Sequence, residues 1–338
     1  MAKRIELALP DDFHVHLRSA PAMEAYARRE AASFGRALVM PNTLPPVASG
    51  AAVAAYREAV QAAAGAGFGP LMAFKLLPGM TARDVRECAA AGAVAGKYYP
   101  AGATTNSQDG ISSPEQAEEG LAAMEAAGLV LSIHGEDPEA PALERERAFL
   151  PVVQKMLAQY PRLRVVLEHI STEDGLNFVL AGPARLAGTL TAHHLLLSID
   201  DLLGEALEPH LFCKPVLKSR RDRDALRAAA FRGSSRLFFG SDSAPHPRRA
   251  KESGRAPAGI YTAPVALSVL AQLFDDAGAL SALSPFLCER GASFYGLPPA
   301  SGTLVLEESP WTVPDEIDGS VPLCAGHTLN WRVVEISR

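Results

Sequence analysis

Short apolar segments alternate with alanine-rich amphipathic segments along most of this 338-residue chain, and this alternation restricts the fold more than any other feature. The apolar segments have the length of strands, and the amphipathic segments have the length and period of helices. The predicted strands are residues 5–9 continuing through 12–17, then 37–40, 71–76, 93–98, 129–134, 164–169, 188–193 and 236–240. The helices predicted between them are residues 21–33, 51–64, 81–91, 113–127, 144–159, 173–180 and 220–231. Eight such units indicate an α/β fold with a parallel sheet.

A parallel sheet of this kind is either an open doubly wound sheet or a closed (β/α)₈ TIM barrel. No GxGxxG motif follows the first strand, which disfavours the dinucleotide-binding form of the open sheet. Polar residues stand at the ends of at least six predicted strands, as in barrels, whose active sites draw on many strand ends. We therefore expect one domain over residues 1–338, with a barrel over about 4–260 and a C-terminal helical and strand extension over about 261–338.

Composition excludes several classes of function. The net charge of −6 argues against nucleic acid as a partner, and the run Arg220, Arg221 and Arg223 is interpreted as a solvated helix face. No apolar segment reaches the roughly 18 residues of a membrane span, and none has the form of a secretory signal. The four cysteines are far apart in the sequence, which favours reduced thiols. We expect a cytoplasmic protein that binds a small molecule, not a membrane or nucleic acid.

Histidines and acids at strand ends form the main candidate for chemistry. His14 and His16 are two residues apart, so on a strand they lie on one face. Alone, such a pair is more often a polar contact than a metal site. His134, His169 and Asp242, however, also close or directly follow predicted strands. Four histidines and an aspartate at one edge suit zinc or another divalent metal, and they exceed one tetrahedral shell, which favours two metals.

Lys97 also closes a predicted strand, among these candidate ligands. An ammonium ion would be repelled by two cations, but a buried lysine can become neutral through a lowered pKa. A neutral amine reacts with carbon dioxide to give an anionic carbamate, which could bridge two metals. Spacing alone favours the alternative, in which Lys97 extends to solvent or pairs with an acid.

The ordered set of an HxH pair, a strand-end lysine, two histidines and an aspartate resembles the amidohydrolase superfamily, whose two-metal members carry a carboxylated lysine. More narrowly, four segments resemble the class II dihydroorotases. They are DDFHVHLR at 11–18, MPNT at 40–43, KYYPAGATTNS at 97–107 and GSDSAPH at 240–246. With the turn at 258–259, the resemblance spans about three quarters of the chain in the family's order.

The resemblance implies two zinc ions per chain held by six residues. They are His14, His16 and Asp242 for the more buried zinc, His134 and His169 for the second, and N6-carboxylysine at Lys97 as the bridge. It also implies a homodimer.

The resemblance implies a substrate site beside these metals. Arg18, Asn42 and His246 would hold the substrate carboxylate. Backbone groups of Ala258-Gly259 and of Cys213-Lys214 would contact the ring amide. Lys214 departs from the family pattern, in which an apolar residue is more usual, so its side chain could disturb that contact if it points inward.

The implied activity is that of a dihydroorotase: the reversible cyclisation of N-carbamoyl-L-aspartate to L-dihydroorotate in de novo pyrimidine biosynthesis. A hydroxide bridging the metals would attack the amide, with Asp242 as general base and then acid. The alternative is another cyclic amidase, such as a hydantoinase or dihydropyrimidinase. These enzymes share the metals but need no carboxylate clamp, so Arg18 and Asn42 argue against them. A non-catalytic relative would be expected to lack ligands, and none is missing.

The segment 101–110 directly follows the strand that ends with Lys97, so it begins at the mouth of the predicted barrel. Gly102 and Gly110 bracket it and could act as hinges, which predicts a mobile lid. Thr104 and Thr105 would then bind the substrate carboxylate through their hydroxyls. The alternative is a fixed surface loop whose threonines cap the helix near Ser113.

Overall fold

The computed structural model describes residues 2–338 and contains an eight-stranded parallel sheet in which sequence neighbours are also spatial neighbours. We number all strands along the chain, so that the barrel begins with the second. Its strands are β2 Asp11–Val15, β3 Arg36–Val39, β4 Gly69–Lys75, β5 Ala93–Tyr98, β6 Val130–Ile133, β7 Arg164–Leu167, β8 Leu186–Leu190 and β9 Leu237–Phe239.

Helices connect these strands and cover the outside of the sheet. The main ones are α1 Ala22–Ala31, α2 Gly50–Ala64, α3 Ala82–Ala90, α4 Glu118–Ala127, α5 Arg145–Gln159, α6 Glu173–Ala181, α7 Ala192–Leu196, α8 Ile199–Leu202 and α9 Arg220–Arg232. Two further helices, α10 Arg248–Lys251 and α11 Ala266–Asp276, follow the last barrel strand. Each crossover of this type places a helix between two parallel strands, as a barrel requires.

The sheet closes just beyond the end of β9. The Asp242 N–H donates to the carbonyl of His14 over 2.8 Å, and the His16 N–H donates to the carbonyl of Ser243 over 2.9 Å. The hydrogen bonds that close the barrel therefore involve three candidate site residues. The predicted (β/α)₈ barrel is confirmed.

Every barrel strand contributes at least one buried apolar residue to the barrel interior. They are Phe13, Leu38, Met40, Ala73, Ala95, Val130, Val166, Ala187 and Phe238. Helix α12 (Arg290–Tyr295) covers the amino-terminal end, where the Tyr295 ring stacks on Phe13 at 4.9 Å. Gly291 is required there, because a Cβ would come within 2.2 Å of the Phe13 ring. This packing closes the amino-terminal end of the barrel, so a ligand would enter at the opposite end.

Two residues beyond the apolar layer, the same inner face becomes polar. Because side chains on a strand alternate with period two, Ala95, Val130, Val166 and Ala187 are followed by Lys97, Ser132, Glu168 and Thr189. All four polar residues are buried, and both hydroxyls donate to the Glu168 carboxylate. The floor of the open end is thus a buried polar layer.

The prediction that residues 5–9 run directly into the first barrel strand is wrong. They form β1 (Arg4–Ala8), which pairs antiparallel with β10 (Thr303–Thr312), and β10 pairs with β11 (Thr328–Ser337). Pro10 separates the two segments and offers no N–H for a continuous ladder. The small sheet therefore combines the start of the chain with the strands of the C-terminal extension.

The strand predicted to end at His193 ends earlier. Thr191 caps α7 by accepting a hydrogen bond from the His194 N–H over 3.0 Å, so both His193 and His194 lie on a short buried helix.

Within residues 2–338, no helix is long and apolar enough to cross a membrane.

Candidate active site

A pocket opens at the carboxyl ends of the barrel strands, and it brings together nearly all predicted site residues. Its lining comprises His14, His16, Arg18, Asn42, Tyr99, Thr104, Thr105, His134, His169, Lys214, Asp242, Ala244, Ala258 and Gly259. Of the predicted residues, Lys97 lies buried in the floor and His246 lies behind Arg18. The convergence follows from parallel strands, whose carboxyl ends meet at one edge.

His14, His16 and Asp242 form the tightest cluster in this pocket. The two imidazole Nε2 atoms are 3.3 Å apart, and Asp242 Oδ1 lies 3.1 Å from His16 Nε2 and 3.5 Å from His14 Nε2. A tetrahedral zinc with bonds of roughly 2.0–2.1 Å holds its ligands about 3.3 Å apart. The spacing of the three atoms therefore matches one face of a zinc site.

The outer nitrogen of each imidazole is occupied by an oxygen acceptor. His14 Nδ1 donates to Glu168 Oε2 over 2.9 Å, and His16 Nδ1 donates to Asn42 Oδ1 over 2.7 Å. These bonds leave a lone pair on each Nε2, since burial lowers the pKa of both histidines. Two lone pairs and a carboxylate oxygen then face one another without a proton, and a cation would remove that repulsion. The residues fit a divalent metal.

His134 and His169 form a second pair on the neighbouring strand ends. His134 Nε2 donates to Glu136 Oε2 over 2.9 Å, which turns Nδ1 toward His169 Nε2 at 3.2 Å. The His169 ring also lies 5.0 Å from the His14 ring, centroid to centroid, so the two clusters are adjacent. Burial lowers the pKa of His169 well below its ordinary value, which keeps that imidazole neutral.

Lys97 is fully buried beneath the histidines, and its Nζ has no hydrogen-bond partner in residues 2–338. Burial lowers the pKa of this lysine to about 8, against the opposing charges of Glu168 and Asp242. An isolated buried ammonium costs several kcal/mol, so a bare cation is poorly accommodated here. The alternative expected from spacing, a lysine that extends to solvent or pairs with an acid, is wrong.

Three site residues have backbone conformations that side chains other than glycine rarely adopt. The φ angles are 67° at Arg18, 40° at His169 and 44° at Asp242. Such residues lie in the left-handed region and cost of order 1–3 kcal/mol each. The surrounding barrel must stabilise them, and their concentration in one pocket indicates a functional site.

The outer side of the pocket carries the cationic group expected to bind a carboxylate. Arg18 Nε donates to the carbonyl of Pro245 over 3.0 Å, and one terminal nitrogen donates to His246 Nε2 over 2.9 Å. Because arginine only donates, His246 accepts as a neutral ring, in agreement with the burial that lowers its pKa to about 3. The remaining guanidinium N–H groups have no hydrogen-bond partner among residues 2–338 and can bind a carboxylate in the pocket.

The segment 101–110 lies against the pocket and is tied to Asn42. Asn42 Nδ2 donates to the carbonyl of Thr105 over 3.2 Å, and Asn106 Nδ2 donates to the carbonyl of Asn42 over 2.9 Å. Lys75, buried on β4, donates to the carbonyl of Asn106 over 2.7 Å. Since Asn42 also holds His16, the segment is linked to the candidate metal site through one side chain. Thr104 faces the pocket as well, so the two threonines do not cap the helix at Ser113.

Lys214, Ala258 and Gly259 form the remaining wall. Gly259 has a φ of 145°, and a Cβ would come within 2.2 Å of the Ala244 carbonyl, so only glycine fits. Lys214 is half-buried, and desolvation lowers its pKa while the charge of Glu136 opposes this. Lys214 stands where the family more usually has an apolar residue, and it therefore places a cationic side chain in the wall.

Sequence reasoning missed Glu168, Glu136, Tyr99 and Lys251. Glu168 could have been found, because it is two residues beyond Val166 on the same strand face and must therefore point into the barrel. Glu136 follows His134 at the same spacing. Tyr99 follows Lys97 at the same spacing, whereas Lys251 lies on a short helix and offered no such signal.

Known proteins resemble this chain over nearly its whole length. No protein-family model matches the chain. A dihydroorotase of Halorhodospira halophila is 47% identical over 339 residues, which cover 97% of this chain and 98% of the relative. The crystal structure of Saccharomyces cerevisiae dihydroorotase in complex with 5-fluoroorotic acid aligns with a TM-score of 0.92 and 34% identity, over 98% of both chains.

More distant structures share the fold. The L-hydantoinase (dihydropyrimidinase) of Arthrobacter aurescens aligns with a TM-score of 0.83 over 99% of this chain and 84% of that one. Its sequence is only 18% identical, so the likeness shows a common architecture and nothing about substrate.

The relatives show that this (β/α)₈ barrel, which carries four histidines, a lysine and an aspartate at its carboxyl end, is a cyclic amide hydrolase. Given the identity over nearly the full length, the chain belongs to the dihydroorotase family.

Proposed function

We propose that this chain catalyses the reversible cyclisation of N-carbamoyl-L-aspartate to L-dihydroorotate, with the site residues in the roles given below. The observation that carries the proposal is the combination of two histidine clusters with an arginine whose free N–H groups face the same pocket. The related yeast enzyme was solved with 5-fluoroorotic acid, which also carries a carboxylate on a pyrimidine ring. An assay for hydrolysis of dihydroorotate, measured as the fall in its ultraviolet absorbance, tests the proposal directly.

Two divalent cations would be held by the clusters described above, with zinc as the expected metal. His14, His16 and Asp242 would hold one and His134 and His169 the other, with Lys97 as a carbamate between them. Bound there, the cations would lower the pKa of a water molecule and polarise the amide carbonyl.

Asp242 is placed to move the proton in this reaction. Burial raises the pKa of its carboxyl group, but the imidazoles of His16 and His14 beside it outweigh burial and hold that pKa below the ordinary value. Asp242 is therefore a carboxylate at neutral pH and can take the proton of the attacking water. It would return that proton to the leaving ring nitrogen.

Arg18, Asn42 and His246 would orient the substrate through its carboxylate. Arg18 presents a planar fork, whereas a lysine would offer a point charge. His246 fixes the guanidinium from behind, and Asn42 connects the carboxylate side to His16. A hydantoinase or dihydropyrimidinase needs no such clamp, which is why we favour a dihydroorotase over another cyclic amidase.

Arg18→Met should weaken turnover of dihydroorotate by about 2–5 kcal/mol in kcat/KM, because the carboxylate would lose its charged partner in a desolvated pocket. Dihydrouracil, which lacks the carboxylate, should be a very poor substrate for the natural enzyme. Steady-state kinetics with both rings measure this. Efficient turnover of dihydrouracil by the natural enzyme would support the alternative, a dihydropyrimidinase-like activity.

The segment 101–110 is proposed to act as a lid whose Thr104 and Thr105 hydroxyls bind the carboxylate. Changing them together to Val and Gly should reduce turnover at least about a hundredfold, since hydrogen bonds to a charged group contribute roughly 1.5–3 kcal/mol each. Metal content should not change. Gln108→Ala, an exposed position in the same segment, is the control and should behave as the natural enzyme. Full turnover by the double variant would leave the segment as a connection only.

We also propose a cytoplasmic homodimer. The four cysteines are unpaired, which supports a reducing compartment. Light scattering should give about twice the 35.7 kDa of one chain. A mass near that of a single chain would contradict the dimer.

A further inference from the structure

Lys251 is a buried lysine whose ammonium group is surrounded by backbone carbonyls. It ends α10, is 2% exposed, and donates from Nζ to Phe212 O (2.8 Å), Pro257 O (3.0 Å) and Gly259 O (2.8 Å). These three bonds use all of its donors. Within residues 2–338, no carboxylate oxygen lies within 4.0 Å of this nitrogen. Burying a cation without an anion is costly, so the hydrogen bonds must offset that cost.

The three carbonyls belong to two segments that build one wall of the pocket. Residues 212–214 supply Lys214 to the lining, and residues 257–259 supply Ala258 and Gly259. The Gly259 N–H also donates to the carbonyl of Phe212 over 2.9 Å, so the segments touch directly. Lys251 itself is absent from the lining and reaches the pocket only through this backbone.

We propose that Lys251 is a positioning residue whose ammonium clamps segments 212–214 and 257–259 together and so places the backbone groups that bind the substrate's ring amide. The inference rests on the proposed function, in which that wall contacts the ring. A planar amide needs a donor and an acceptor at fixed separation, and a displacement of about 1 Å is enough to lose such contacts. Burial lowers the pKa of Lys251 to about 8, which still leaves the ammonium form dominant at neutral pH.

The test compares Lys251→Met, which keeps the length of the side chain and removes every donor, with Arg249→Met. Arg249 is exposed on the same short helix and serves as the matched control. In the zinc-loaded enzyme, Lys251→Met should raise KM for dihydroorotate about tenfold and change kcat less than about threefold, because the lost contacts bind the ground state and the transition state equally. Metal content should equal that of the natural enzyme. Lys251→Gln, which retains amide donors, should recover part of the affinity.

Hydrogen exchange measures the clamp without any turnover. Peptides that cover 212–214 and 257–259 should exchange faster in Lys251→Met, with other pocket peptides unchanged. Unchanged exchange in both segments would overturn the clamp, and so would a lower kcat or melting temperature with an unchanged KM. If Lys251→Met does not fold, Lys251→Gln is used for both measurements with the same criteria. If the natural enzyme fails to hydrolyse dihydroorotate, that result refutes the proposed function instead, whatever the hydrogen-exchange measurement shows for the two segments.

Discussion

Asp242→Asn should keep the fold and lose about 10²–10⁴-fold in kcat, which is the range for removal of a general acid–base group. The amide oxygen of asparagine can still approach the two Nε2 atoms, but it cannot accept the proton of the attacking water. Rates should be measured in both directions, since the same carboxylate serves ring opening and ring closure.

Metal analysis of the same samples separates the two roles of this residue. Asp242 Oδ1 lies 3.1 Å from His16 Nε2, so weaker ligation could also reduce the rate. If the variant retains its metals and loses activity, the proton-transfer role holds. Asp276→Asn makes the same chemical change at an exposed carboxylate and should be neutral. An Asp242→Asn enzyme with full metal and near-natural kcat would contradict the mechanism.

Strand periodicity and parallel topology account for what could be predicted of the site. His14 and His16 share a face because they are two residues apart, and their Nε2 atoms lie 3.3 Å apart. His134 and His169 come close because neighbouring parallel strands end at one edge. These are local rules, so they can be read without knowledge of distant contacts.

The remaining features depend on contacts between distant residues. Glu168 orients His14 from 154 positions away in the chain, and Pro257 and Phe212 meet Lys251 through loops without period. The prediction for strand β1 is wrong for the same reason, because its partner β10 lies about 300 residues away in the chain. An apolar strand fits the barrel and the small sheet equally well, so its own sequence does not select between them. Sequence pattern predicts the type of an element better than it predicts its partner.

Lys97→Ala should lower metal content and activity together. Its Nζ is buried, lacks a partner and has a pKa lowered to about 8, so a fraction of neutral amine is present to react with carbon dioxide. The resulting carbamate would turn an unfavourable cation into an anion beside the histidine clusters. Loss of that anion should remove several kcal/mol of transition-state stabilisation, on the order of a thousandfold in rate.

The carbamate itself is tested in two ways. Acetate or propionate at high concentration should partly restore both metal and activity to Lys97→Ala, because a small carboxylate can occupy the space left by the side chain. Carbon-13 NMR of the natural enzyme, reconstituted with labelled carbon dioxide, should show a carbamate carbon that is absent from the variant. Two metals and full activity in Lys97→Ala, or crystallographic density for a bare amine in an active metal-loaded enzyme, would rule the bridge out. In that case the buried lysine would need another source of stabilisation. The carboxylates of Glu168 and Asp242, whose charges already oppose the lowering of the Lys97 pKa, would have to provide it.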